Sequence, residues 1–138
     1  MPKLTNDILI KIPREPAYQK MTGLDFERKM NPTSSFEIQY VDERLIRYRW
    51  TNEMDSPGFE KILLPETYTI FSQRKPKTPF LYSYFIYMFL ESPEGTIVRY
   101  IQDFQLEAES KSKEEGVVAY FRANSIKVMQ ALEEYLSS

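Results

Sequence analysis

The sequence predicts an α+β fold in which a curled antiparallel β-sheet of about six to eight strands is closed by a C-terminal helix. Two pairs of alternating segments and one amphipathic segment indicate this fold. The longer pair covers residues 80–107, the shorter pair covers 36–51, and the amphipathic segment covers 125–136. A small β-barrel capped by the same helix is the alternative architecture.

The segment 80–107 predicts one long β-hairpin. Its reversal falls at Ser92–Gly95, because Pro93 presets φ for the second position of a type I turn and glycine is favoured at the fourth. With this turn, Tyr87 faces Tyr100 across the hairpin. The face that these two residues share is strongly apolar, and we expect it to be the core face.

The opposite face of the hairpin is aliphatic near the turn and mixes tyrosine with charge at its far end. Tyr82 and Tyr84 lie there together with Arg99 and Asp103. A strand that is apolar on both sides is usually covered on both, so one interpretation places a helix over this face. The other interpretation is a partly open, tyrosine-rich surface that binds a partner, since tyrosine and arginine are enriched in interface hot spots.

The segments 36–41 and 46–51 predict a second hairpin with a loop over residues 42–44. This register aligns Ile38 with Tyr48 and Tyr40 with Ile46 on an apolar face, and it aligns opposite charges on the other face.

Short apolar or alternating runs predict three further strands, at 8–12, 59–64 and 68–71. Between the first strand and the second hairpin, residues 17–30 predict an irregular crossing with a helical turn or two. Residues 52–58 predict a turn-rich loop.

The last third of the chain leaves one element open. Residues 117–123 either begin the final helix or form a further strand beside 96–107, and their alternation favours the strand. Asn124 and Ser125 then offer an N-cap for a helix over 125–136. The apolar stripe of that helix is formed by Val128, Met129, Leu132, Tyr135 and Leu136. The charged segment 108–116 is expected to be a flexible connection.

A basic, proline-bearing segment, 74–79, precedes the long hairpin and carries Arg74, Lys75 and Lys77. A solvated linker is its simplest interpretation. Because two prolines stiffen it, an exposed docking point for an acidic partner is the alternative.

Composition excludes several classes of function. The 138 residues predict one domain, 1–138, and the net charge of −2 gives no general attraction for nucleic acid or an acidic membrane. The chain has no cysteine and no histidine, which removes thiolate chemistry and the commonest general base and zinc ligand. We therefore expect no metal and no cofactor. No secretory signal or membrane span is recognised, so a cytoplasmic protein is expected.

The chain also lacks phosphate-binding glycine motifs and EF-hand spacing. Asp103 lies among tyrosines, where a hydrogen bond from Tyr84 or an ion pair with a neighbouring cation is favoured over a role as catalytic acid. These observations predict that the protein is not an enzyme.

The function predicted from the sequence is a non-catalytic protein-interaction module, such as an adaptor, assembly factor or inhibitor. Its partner, or a second copy of the chain in a homodimer, would bind the residues Tyr82, Tyr84, Arg99, Asp103, Arg74, Lys75 and Lys77. The alternative is binding of a hydrophobic small molecule in a barrel cavity. Binding of single-stranded nucleic acid is a third, less favoured hypothesis, since such surfaces normally include a basic groove.

Overall fold

A computed structural model describes residues 3–51 and 58–137 of the chain. Its seven strands are β1 (Lys3–Ile10), β2 (Phe36–Val41), β3 (Leu45–Trp50), β4 (Phe59–Leu64), β5 (Thr69–Arg74), β6 (Phe80–Ser92) and β7 (Gly95–Leu106). They form one antiparallel sheet in the order β1-β7-β6-β5-β4-β3-β2. The predicted curled sheet is confirmed, whereas the barrel alternative is not formed, because β1 and β2 do not pair within the described residues. Most of the loop predicted at 52–58 lies outside those residues.

Three α-helices accompany the sheet: α1 (Arg14–Gln19), α2 (Asp25–Met30) and α3 (Glu114–Ser137). Short 3-10 turns occupy Pro65–Thr67 and Ala108–Lys113. The first two helices are the irregular crossing expected between 17 and 30. All three helices pack on the face of the sheet that carries Tyr87 and Phe89, called here the inner face. The predicted stripe of α3 is buried there, with Leu132 and Leu136 almost inaccessible to solvent.

The long hairpin has the predicted register, with Tyr87 opposite Tyr100 and a reversal between Ser92 and Gly95. Gly95 has φ of +142°, and an added Cβ there would lie 2.1 Å from the carbonyl oxygen of Ile10. The turn therefore requires glycine both for its backbone angle and for the close approach of β1.

No helix covers the outer face of this hairpin among the described residues, so the first interpretation of that face is wrong. All three helices lie on the inner face, where their apolar stripes are buried. The outer-face residues Tyr82, Tyr84 and Arg99 are only half-buried, by the side chains of neighbouring strands. An antiparallel sheet tolerates one solvated face, so a second helical layer is not needed.

The second hairpin is confirmed at its open end, where Ile38 pairs with Tyr48, but not near its loop. Tyr40 pairs with Arg47 instead of Ile46, because a bulge interrupts the ladder after Ile38. The carboxylate of Asp42 accepts hydrogen bonds of 2.8 and 2.9 Å from the backbone N–H groups two and three residues further on. This side chain stabilises a tighter turn than the predicted loop, and the bulge absorbs the extra residue.

The predicted strand at 117–123 is wrong, because these residues form part of α3. β1 pairs with β7 over eight residues and occupies the edge that the expected strand would have used. In the helix, the ring of Phe121 packs at 5.1 Å from that of Phe104 and at 6.0 Å from that of Phe80. Ser125 lies inside the helix, where its hydroxyl accepts a hydrogen bond from Asn6 rather than serving as an N-cap.

Candidate functional site

A cavity of about 300 Å³ lies between the inner face of the sheet and helices α2 and α3. Most of its wall is aromatic. The residues that line it are Phe26, Glu27, Met30, Asn31, Tyr48, Trp50, Phe59, Phe85, Tyr87, Tyr100, Gln102, Tyr120, Asn124 and Val128. The strands supply most of the rings, and the helices supply the opposite wall. Aromatic walls with a few polar groups are typical of small-molecule sites.

A larger depression, of about 580 Å³, lies outside the sheet near the β6–β7 turn. Its arginine, Arg14, is already paired with Glu91 at 2.6 Å and stacks over the ring of Tyr68 at 4.0 Å. Because its arginine is already held by a carboxylate and an aromatic ring, this depression is a weaker candidate than the smaller inner cavity.

Three of the tyrosines that line the cavity are buried: Tyr48, Tyr87 and Tyr100. Among the described residues, no protein atom is hydrogen-bonded to the hydroxyl of Tyr48, Tyr87 or Tyr100. Burial raises the pKa of all three phenols above the ordinary value of 10.0. They are therefore neutral at physiological pH and available as hydrogen-bond donors or acceptors.

Two buried oxygen atoms at the cavity have no hydrogen-bond partner within the described chain. They are Oε1 of Gln102 and Oε1 of Glu27. A buried acceptor without a partner costs about 1–3 kcal/mol. A bound molecule that donates hydrogen bonds would remove this cost, so the cavity is suited to hydroxyl-bearing ligands.

A buried lysine holds the carboxylate of Glu27 in place. Nζ of Lys61 lies 2.8 Å from Oε2 of Glu27 and 2.5 Å from the carbonyl oxygen of Gly23. Lys61 is fully buried on the inner face of β4, between Phe59 and Leu63. One carboxylate oxygen is thus anchored while the other lacks a protein partner.

The sequence analysis missed this pair. The available signal was the alternation of β4, which places a lysine on the same side as two apolar residues, Phe59 and Leu63. A lysine in that position needs a buried carboxylate, but Glu27 is distant in sequence and could not be named as its partner.

The tyrosine-rich end of the hairpin is on the outer face, away from the cavity. There, the hydroxyl of Tyr84 donates a 3.0 Å hydrogen bond to Asp103, as predicted, and its ring stacks on that of Tyr82 at 5.8 Å. Arg99 donates two hydrogen bonds to Asp7, of 2.9 and 3.0 Å. Binding of a partner by these residues stays a prediction.

The three basic residues predicted beside them are separated from that patch. Arg74 is the last residue of β5 and, with the buried Ile70 and Ser72, belongs to the inner face. Lys75 and Lys77 are exposed in the following loop. The structure therefore does not bring the seven predicted residues into one surface.

Two kinds of feature are absent from the part of the chain that the structure describes. No helix in it is long and apolar enough to cross a membrane. No three acidic, histidine or cysteine side chains in it converge as metal ligands.

No protein-family model matches the sequence. Similar solved structures include TTHA0849 from Thermus thermophilus, with a TM-score of 0.77 and 20% identity over 98% of this chain and 97% of that one. The di-domain aromatase/cyclase BexL has a TM-score of 0.78 and 14% identity over 99% of this chain and 50% of its own, so this chain spans half of it. Norcoclaurine synthase from Thalictrum flavum has a TM-score of 0.70 and 9% identity over 96% of this chain and 84% of that one.

These similarities identify a helix-grip-like fold and correct two predictions. The neighbours include enzymes, so the fold can house catalysis, and the prediction of a protein without enzymatic activity, drawn from the missing histidine and cysteine, is wrong. The prediction of a protein-interaction module is also wrong. Neighbours named as cyclases, a synthase and a START superfamily protein favour its alternative, the binding of a hydrophobic ligand.

Proposed function

We propose that the protein binds a small aromatic molecule bearing hydroxyl groups in the cavity between the sheet and α3. The observation that carries this proposal is the combination of an aromatic wall with unpartnered polar atoms. The rings supply apolar contact area, while Gln102 and Glu27 accept hydrogen bonds and Tyr48 can donate one.

The size of the cavity limits the ligand. A volume of about 300 Å³ is at the lower end of small-molecule sites, which extend from roughly 300 to 1,000 Å³. One or two fused rings fit such a space. The norcoclaurine synthase structure, which contains dopamine and hydroxybenzaldehyde, supports this ligand class because both molecules are aromatic and hydroxylated.

Acid–base catalysis on the bound molecule is a second candidate function, favoured by the position of Glu27. Its free Oε1 is a proton acceptor, while the charge of this carboxylate contributes to raising the pKa of Tyr48 and Tyr87 after the larger effect of burial. A ligand hydroxyl or acidic C–H at Oε1 could transfer its proton there, with a neutral phenol hydrogen-bonded to the resulting negative charge. Glu27→Gln combined with Lys61→Met, which avoids leaving the lysine buried without an anion, should then abolish turnover of a bound substrate while retaining its binding.

Fluorescence tests the binding proposal directly, because Trp50 is the single tryptophan and lines the cavity. We expect N-phenylnaphthylamine, a neutral aromatic probe, to bind and to receive energy from Trp50. Asn124→Phe should block binding by filling the cavity from α3. Ile126→Phe is the matched control, since Ile126 is exposed on the same helix and does not line the cavity.

Two results would contradict the proposal. One is an absence of energy transfer to the probe in the unmodified protein. The other is equal binding by the Asn124→Phe and Ile126→Phe variants, which would place the probe elsewhere.

A further inference from the structure

A second pocket, of about 410 Å³, adjoins the cavity at the beginning of α3. It is lined by Arg74, Phe80, Lys113, Gly116, Val117, Tyr120 and Phe121. Tyr120 lines both spaces and is 66% exposed, so it stands at their common rim. A single elongated molecule can therefore contact both.

Arg74 is a half-buried cation on the inner face for which the described chain provides no anion. Its Nε is buried without a hydrogen-bond partner, and no carboxylate among the described residues lies within ion-pair distance of its guanidinium. By contrast, Arg47 and Arg99 on the outer face both pair with carboxylates. Partial burial of an unpaired charge is unfavourable, and an anion bound in the pocket would remove this cost.

A second cation lies on the same pocket. Lys113 is exposed at the end of the 3-10 turn before α3, and it has no ion-pair partner in the described residues. The rest of the wall is apolar, and the rings of Phe80 and Phe121 are stacked at 6.0 Å with an interplanar angle of 20°. The pocket thus combines two positive groups with an apolar floor.

We propose that this pocket binds the carboxylate of the ligand whose aromatic body occupies the cavity. The inference rests on the proposed function and specifies its ligand class as an aromatic acid in which an apolar linker joins the ring system to the carboxylate. The planar guanidinium of Arg74 is suited to a carboxylate, which it can bind through two parallel hydrogen bonds. Lys113 adds a second charge at the solvent side, and the stacked rings contact the linker.

A matched pair of probes tests this assignment. 4-(2-Naphthyl)butyrate and 4-(2-naphthyl)butanol share the same two fused rings and chain, and they differ in ending with a carboxylate or a hydroxyl. Their dissociation constants can be measured by isothermal titration calorimetry. The variants are Arg74→Gln and Lys113→Gln, with Arg122→Gln as the control, because Arg122 is an exposed cation on α3 that does not line the pocket.

We expect the unmodified protein to bind the butyrate about tenfold more tightly than the butanol. Arg74→Gln should weaken binding of the butyrate about tenfold and leave binding of the butanol unchanged. Lys113→Gln should have a smaller effect, of about twofold to threefold, because the exposed lysine is screened by solvent. Arg122→Gln should affect neither probe.

The outcomes separate the two proposals. Equal binding of both probes, or an Arg74→Gln variant that keeps the preference for the butyrate, overturns the carboxylate site and leaves the aromatic cavity standing. An equal loss of affinity for both probes in Arg74→Gln also overturns the carboxylate site, since Arg74 would then act on the shape of the cavity. If neither probe binds, the proposed function itself is overturned.

Discussion

The ammonium nitrogen of Lys61 lies 2.8 Å from Oε2 of Glu27, and the lysine is completely buried. This contact joins the inner face of β4 to helix α2 across one wall of the cavity. It holds a carboxylate at the candidate site in a fixed position. It also makes the stability of the fold depend on a group that the proposed function uses.

Replacing Lys61 with methionine should strongly destabilise the protein, because it leaves the Glu27 carboxylate buried without a positive partner. We expect the free energy of unfolding to fall by about 3–5 kcal/mol, measured by urea denaturation. Lys61→Met combined with Glu27→Leu should recover most of this loss. The control is Arg99→Met, which breaks an exposed pair with Asp7 and should cost less than about 1 kcal/mol. Equal denaturation midpoints for the Lys61 and Arg99 variants would show that the buried contact of Lys61 with Glu27 does not stabilise the fold more than an exposed pair.

Gln102→Leu should make the protein more stable and a poorer binder of hydroxylated aromatics. It removes a buried oxygen that has no hydrogen-bond partner in the described chain, so we expect the free energy of unfolding to rise by about 1 kcal/mol. Binding of naphthol should weaken about tenfold, while binding of methylnaphthalene should not, because only naphthol donates a hydrogen bond. Calorimetry measures both affinities. The control is Gln105→Leu on the outer face, which should leave the ratio of the two affinities unchanged. If Gln102→Leu weakened binding of both ligands equally, Gln102 would not have the assigned role of hydrogen-bond acceptor.

The protein should lose stability in alkaline solution. Burial raises the pKa of Tyr48, Tyr87 and Tyr100 in the folded state, whereas the unfolded tyrosines ionise near 10.0. As the pH rises past that value, the unfolded state releases protons first. Stability that is fully present below about pH 10 therefore declines above it, by up to about 1.4 kcal/mol per pH unit for each tyrosine.

Urea denaturation between about pH 8 and about pH 11 measures this decline. Tyr87→Phe should reduce its slope because one of the three buried phenols that line the cavity is removed. Tyr120→Phe is the control, since Tyr120 is exposed at the rim of the cavity. A slope in Tyr87→Phe equal to that of the control would show that burial of Tyr87 does not govern the effect.

Gly95→Ala should destabilise the long hairpin and its contact with β1. The new methyl group would lie 2.1 Å from the carbonyl oxygen of Ile10, so β1 and the turn would have to move apart. The backbone φ of +142° is also one that alanine rarely adopts. We expect a loss of more than about 2 kcal/mol by thermal or chemical denaturation. Gly116→Ala is the matched substitution in α3, where an added Cβ meets nothing within 4 Å, and it should stabilise by about 0.5–1 kcal/mol. The same change in stability at both positions would be the contrary result.

Local sequence patterns determine some elements of this fold and leave others open. The pairing of Tyr87 with Tyr100 was predictable because a proline-glycine turn lies between two alternating segments. The segment 117–123 was assigned incorrectly because its alternation also fits a helix, and only the pairing of β1 with β7 removes the edge that a strand would need.

The candidate site was harder to predict from the sequence than the fold was. Tyr48, Tyr87 and Tyr100 were each assigned to apolar faces of strands, but their common cavity depends on the curl of the sheet and on where α2 and α3 pack against it. The chosen patch at Tyr82 and Tyr84 is on the outer face instead, because aromatic content alone does not reveal which side of a strand the helices cover.

By itself, the sequence determined the strands of the two hairpins, the main turn and the apolar stripe of the final helix, since each depends on residues that are neighbours along the chain. Only the tertiary structure decided that Lys61 meets Glu27, that β1 occupies the edge of β7, and that Arg74 faces the inner side without an anion among the described residues. The physical reason is that a cavity and a buried ion pair arise from contacts between distant segments, and these contacts depend on how the whole sheet curls around its helix.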